Sequence, residues 1–141
     1  MPTMKTLYSL LLCVALGAAT FTAMAQTAIP GTNLTWSLSG GTLTIDGSGA
    51  IPTYTATGAP WYPSRASVTD LVIGNGVSSI GDNAFRDCAL ANLTIPATVT
   101  SIGENAFHSN SKLKNLVIED GATSLTLLGT LLYGTSIPFL N

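Results

Sequence analysis

A chain of 141 residues, 46% hydrophobic and only 9% charged with a net charge of −2, offers no basic footprint for nucleic acid or an anionic membrane. Past residue 25 only one cysteine remains, Cys88, which excludes an internal disulfide and a cysteine-rich metal site there. The single histidine, His108, leaves a Ser-His-Asp or Cys-His arrangement only one centre to be built on.

Residues 1–25 read as a secretory signal peptide. Lys5 supplies the positive start, residues 7–21 an apolar stretch too short to span a bilayer, and Ala23-Met24-Ala25 a small-x-small cleavage site before Gln26. The expected product is exported: secreted or at the cell surface, and periplasmic if carried no further. No second apolar run of spanning length follows, so the mature chain is expected to cross no membrane.

Residues 26–67 form the next segment. Leu34, Trp36 and Leu38 alternate with polar residues, and Leu43 and Ile45 do so again after Ser39-Gly40-Gly41. Period-two spacing on both sides of a glycine turn predicts a β-hairpin with one buried face. Gly47-Ser48-Gly49 is expected to end its second strand, and Pro52, Pro60 and Pro63 to keep residues 51–63 irregular. Tyr54, Trp61 and Tyr62 sit in that loop. They read either as a glycan-binding platform or, with more physical support, as a cap in which Trp61 closes the end of the repeats that follow.

From residue 68 one pattern is written almost twice and begun a third time. Leu71-Val72-Ile73, Leu93-Thr94-Ile95 and Leu116-Val117-Ile118 recur at steps of 22 and 23 residues. Ser79-Ile80-Gly81-Asp82-Asn83-Ala84-Phe85 is answered by Ser101-Ile102-Gly103-Glu104-Asn105-Ala106-Phe107. Such a period predicts a solenoid of stacked coils. Residues two apart share a strand face, so Leu71 and Ile73 with their copies point inward and the residues between them outward. The columns run Val77, Val99 and Ala122, then Ser79, Ser101 and Ser124, then Ile80, Ile102 and Leu125. The glycines are expected to mark turns, and Phe85 and Phe107 to fill each coil. In the third repeat the pattern is lost: Thr126-Leu127-Leu128-Gly129-Thr130 stands where Gly-x-x-Ala-Phe is due. Residues 127–141 read either as a C-terminal cap or as the start of further repeats on a chain cut short. The small number of copies favours the second, with self-association through the open end as its consequence.

These columns resemble the BspA-type leucine-rich repeat of bacterial surface and secreted proteins, and the text around Leu34, Gly47 and Trp61 is similar to the lead-in that precedes such repeats. The likeness covers roughly residues 34–125. It implies a leucine-rich-repeat solenoid, mainly β, of short stacked parallel strands with an N-terminal hairpin cap, the repeats occupying residues 68–141. It also implies that Cys88 and Asn110, in one column, turn their side chains into the coil. The function implied is non-enzymatic: an adhesion or protein-binding module attaching to host matrix or plasma proteins, or to neighbouring cells.

The chemistry in the chain agrees with that expectation. His108 falls in a polar turn, Cys88 in an inward column without a base beside it, and Asp82 and Glu104 in a turn flanked by asparagines. Gly47-Ser48-Gly49 and Gly74-Asn75-Gly76 complete no phosphate fingerprint. No catalytic group, cofactor or metal is expected. Recognition is expected on the outward ladder Asp70, Val72, Asn92, Thr94, Asn115 and Val117, flanked by Gly74, Pro96 and Glu119. A glycan module built on Tyr54, Trp61 and Tyr62, or a ligand-free end-piece of a longer array, are the alternatives.

Overall fold

The computed structural model describes residues 25–121 and 125–137. The expected signal peptide lies outside them, apart from Ala25, as do the column positions Ala122 and Ser124. No helix among the described residues is long and apolar enough to cross a membrane.

The chain begins with β1 (Thr27–Ala28), antiparallel to β2 (Asn33–Ser39), which pairs antiparallel with β3 (Thr42–Ile51). Ser39 opposite Thr42 leaves a two-residue turn of Gly40 and Gly41, both at positive φ, the geometry that matches the twist of a tight hairpin.

The glycines at 47 and 49 do not end β3. They bend it, with φ of 106° and 115°, and the strand continues to Ile51. Its first half pairs parallel with β4 (Asp70–Ile73), its second half with β5 (Val77–Ile80), across an irregularity at Gly49 and Ala50. The hairpin's second strand is therefore itself a coil, laid directly under the first repeat. Between them residues 52–61 wind without strand, and a short 3-10 helix (Tyr62–Ser67) with proline in its first turn leads into β4.

Two walls then grow coil by coil. On one, β6 (Asn92–Ile95) lies beside β4 and pairs parallel with β8 (Asn115–Ile118). On the other, β5, β7 (Ser101–Ile102) and β9 (Thr126–Leu127) follow in order. The third-coil register differs from expectation. Ser101 pairs with Thr126 and Ile102 with Leu127, not with Ser124 and Leu125. Residues 119–125 hold two more positions than the matching turn before β7, and this longer turn moves the paired residues two places further along the chain.

Nor does the pattern stop at β9. One hydrogen bond recurs along the stack: Gly81 N–H to Ile51 O at 2.9 Å, Gly103 N–H to Ile80 O at 2.8 Å, and Leu128 N–H to Ile102 O at 3.1 Å. Asp87 N–H donates to His108 O at 2.9 Å, and Ser109 N–H to Tyr133 O at 2.7 Å. Thr130 Oγ1 donates to Asn105 Oδ1 at 2.7 Å. Residues 126–137 are thus a third coil built from different side chains. Leu131, 7% exposed, stands in the place of Ala106, and Leu132 in that of Phe107.

The core is a set of inward columns. Trp61, Phe85 and Phe107 stack almost parallel, with centroids 5.5 and 5.4 Å apart and planes 15° and 16° from alignment. Leu43, Leu71 and Leu93 are buried, as are Ile45, Ile73 and Ile95. At the corners the chain enters the left-handed region at Asn83, Asp87, Asn105 and Ser109, with φ of 56° to 59°. Asparagine and aspartate tolerate that conformation best among residues with a side chain, which accounts for the repeated asparagine after Asp82 and Glu104. Gly103 has a different reason. A Cβ there would collide with Asp82 of the coil beneath, because the coils touch backbone to backbone.

Asn110, fully buried, donates through Nδ2 to Phe85 O and Phe107 O, both at 2.9 Å, and so ties two coils together. Replacing Asn110 by alanine strands these carbonyls in an apolar interior, and a loss of about 2–3 kcal/mol is expected in urea unfolding. An unchanged midpoint would show that the column does not depend on this amide.

Candidate functional site

Along β4, β6 and β8 the side chains that face away from the core fall into two columns. The parallel register sets Thr42 beside Asp70 and Thr44 beside Val72 on the lead-in side, then Asn92 beside Asn115 and Thr94 beside Val117. Asp70, Val72, Asn92, Thr94, Asn115 and Val117 are all exposed, Val72 at 50% and Val117 at 54%. Alternation of the strand produces this arrangement, since Leu71, Ile73, Leu93 and Ile95 are held inside.

One column is polar and partly cross-linked. Asn115 Nδ2 donates to Asn92 Oδ1 at 2.7 Å, and the Asp70 carboxylate accepts from Thr69 Oγ1 at 2.8 Å. The other column is β-branched throughout: Thr44, Val72, Thr94 and Val117. Side chains of this kind lose little rotamer freedom when a partner covers them. Further along the strands the ladder fails. Pro96 is buried and Gly74 half-buried, whereas Glu119 is exposed with its carboxylate at 3.4 Å from the Ala97 N–H.

Thr42 and Thr44 widen this face and were not anticipated. A signal for them existed, because Leu43-Thr44-Ile45 repeats Leu93-Thr94-Ile95 letter for letter. Its distance from the first repeat, 28 residues by the register, departs from the later period and hid it.

Of the three aromatic residues the lead-in brings Tyr54 and Trp61 together and buries Trp61, whereas Tyr62 packs against Arg65 and Asp87. Trp61 is 1% exposed. One ring face stacks on Phe85, Trp36 and Tyr54 make T-shaped contacts with it at centroid distances of 5.9 and 5.7 Å, and its indole N–H donates to Ala84 O at 2.7 Å. Its ring has no face free for a sugar. Burial pushes the Tyr54 hydroxyl up to about 12. Tyr62 lies under the Arg65 guanidinium, 4.2 Å from ring centre, and donates its hydroxyl to Asp87 at 3.0 Å, which raises its pKa.

The remaining reactive groups are engaged elsewhere. His108 stacks on Tyr133 at 5.2 Å, with its Nδ1 2.6 Å from Ser109 Oγ. The Asp82 carboxylate accepts the Glu104 N–H at 2.7 Å, and so serves coil stacking. Among the described residues no group of three or more histidine, cysteine or acidic side chains could hold a metal ion. An apolar recess between Leu93, Phe107, Leu127 and Leu132 has about 10 Å³ of room, no more than one water needs.

Residues 61–128 match the family described as "BspA type Leucine rich repeat region (6 copies)". Among solved structures, the chain is similar to a leucine-rich repeat protein from Eubacterium ventriosum ATCC 27560, at 28% identity and a TM-score of 0.67. The match covers 82% of this chain and 37% of that one, so this chain spans well under half of the length of that protein. No curated protein matches the chain.

Two outcomes test this reading of the buried groups. Trp61→Ala removes the end of the aromatic stack and is expected to cost about 3–5 kcal/mol of stability. A fold of unchanged stability would argue against that role. Burial also pushes the Cys88 thiol from its ordinary 9.0 up to about 12. The unfolded chain therefore loses this proton first, so stability falls as pH rises from 9 towards 12. Cys88→Ala is expected to flatten the fall in urea midpoint between about pH 8 and about pH 10, and an unaltered slope would contradict the assignment.

Proposed function

We propose that this BspA-type leucine-rich repeat chain is an exported, non-enzymatic module for adhesion, binding proteins of the cell surface or extracellular matrix through its outward ladder. The observation that carries this reading is the paired columns of Thr42, Asp70, Asn92 and Asn115 beside Thr44, Val72, Thr94 and Val117 on stacked parallel strands, the two threonines of the lead-in half-buried and the other six residues exposed. The face is broad, weakly charged and backed by a rigid core, which suits contact with a folded protein more than capture of a small molecule. Leucine-rich repeats are generally scaffolds for protein binding, and the family's members are usually bacterial surface or secreted proteins. Export is supported further by the leader-like residues 1–25.

The test is binding of the folded protein to immobilised matrix and plasma proteins and to a polysaccharide panel, with a heat-unfolded sample as control. Saturable binding to a protein is expected from the folded sample alone. Val72→Arg combined with Thr94→Arg, both exposed, is expected to weaken it about tenfold or more while the melting curve stays in place. Binding to polysaccharide alone, or full affinity in the double variant, would overturn the proposal.

A further inference from the structure

Between the two walls, successive coils make the same turn with different residues. In the first repeat it is Gly74-Asn75-Gly76-Val77, closed by the Val77 N–H donating to Gly74 O at 3.0 Å. In the second it is Pro96-Ala97-Thr98-Val99, closed by the Val99 N–H donating to Pro96 O at 3.1 Å. The second version carries neither a side-chain amide nor a glycine. The first carries both, and Asn75 is the one asparagine of the chain that glycine follows.

An asparagine and the backbone nitrogen after it can react with each other. That nitrogen attacks the side-chain Cγ and a succinimide ring closes. The side-chain nitrogen leaves as ammonia, taking up the proton that the attacking nitrogen gives up. Water then opens the ring at either carbonyl and leaves aspartate or, with the main chain rerouted through the side chain, isoaspartate. Glycine in second place hinders the attack least, because it has no Cβ beside its nitrogen.

We infer that Asn75 is a site of self-modification, deamidating in the folded chain to isoaspartate and aspartate, and that isoaspartate there loosens the first repeat from the lead-in coil. Asn75 is exposed, so water reaches the ring and ammonia escapes. The Gly76 N–H makes no hydrogen bond among the described residues, so the attacking nitrogen is not engaged elsewhere. The other exposed asparagines differ. Asn33, Asn92 and Asn115 each lie in a strand and precede a leucine, and the Asn92 and Asn115 side chains bond each other. What slows the reaction is the turn. A Cβ on Gly76 would collide with Gly47 O, so this backbone is pressed on the coil beneath. Bringing Cγ onto the Gly76 nitrogen rotates the peptide inside the closed turn, and the reaction therefore proceeds through local opening of the corner.

Isoaspartate adds a methylene to the main chain where both flanks are fixed. Ile73 is held in register with Ile45 before the turn, and Val77 with Gly49 after it. Gly76 O also accepts the Gly49 N–H at 3.0 Å. A longer corner cannot keep both registers. The new carboxylate also arrives next to Gly74, against which the Asp46 carboxylate rests, so like charges meet. This goes beyond the ladder reading and does not depend on it.

The test is incubation of the full chain at mildly alkaline pH, which favours loss of the attacking nitrogen's proton, followed by peptide mass spectrometry. Methylation by an isoaspartyl methyltransferase marks the rerouted main chain. Mapping separates Asn75 from the Asp46-Gly47 and Asp120-Gly121 pairs, which can form the same linkage. Replacement of the amide NH2 by OH is expected at Asn75 while Asn33, Asn92 and Asn115 stay intact, and Asn75→Gln is expected to abolish it. The isolated isoaspartyl form is expected to melt about 4 °C or more below the unmodified chain. Asn75→Asp, which adds the charge without the methylene, is expected to fall by less. An intact Asn75 at a time when a short synthetic peptide of residues 72–79 has fully reacted would overturn the inference. So would aspartate as the sole product, or an isoaspartyl form that melts with the unmodified chain.

Discussion

Every coil of this protein rests directly on the one below, at the spacing of neighbouring β-strands, and that contact governs which residue can stand where. A side chain pointing inward must fit over its counterpart, so the core is a set of columns and not a jigsaw of unlike pieces. The aromatic column shows the constraint most clearly. Trp61, Phe85 and Phe107 lie within about 16° of parallel because the backbone hands each ring the same position one step further along. Backbone contact imposes the rest: glycine where coils touch, asparagine where the chain turns left-handed, and an amide or thiol in the column of Asn110 and Cys88.

The same constraint explains how the lead-in belongs to the stack. β3 meets both β4 and β5 because two glycines let one strand turn the corner that later coils turn with separate strands. The hairpin partner β2 then covers it from outside. Trp61 extends the aromatic column into this segment although the loop that delivers it has no repeat pattern of its own. The stack is thereby continuous from the hairpin to residue 137, without a disulfide among the described residues.

Much of this was legible in the chain, for a physical reason. Leu-x-Ile and Ile-Gly-x-Asn-Ala-Phe are repeated because the same sites are repeated, and they gave the strands, the inward columns and the outward ladder. Two features escaped where period and chemistry parted. Leu43-Thr44-Ile45 states a coil in the same letters, but the longer excursion through Trp61 masks the spacing. In the last coil Leu131 and Leu132 do the work of Ala106 and Phe107, and a turn longer by two residues displaced the alignment. A site that any apolar side chain can fill leaves no fixed letter to read. The exposure of the ladder was legible from strand alternation, whereas the burial of Pro96 depends on how the turn folds back, which alternation does not reach.

The central claim is that the lead-in and the repeats form one stack joined through inward columns. Native-state hydrogen exchange at the amides of Gly81, Phe85 and Gly103, which bridge successive coils, tests it most directly. One cooperative stack predicts that the three share a common opening free energy, and that Trp61→Ala lowers all three together. Full protection of Phe85 and Gly103 in that variant, with Gly81 alone exposed to exchange, would show that the lead-in is a separate unit resting on an independent solenoid.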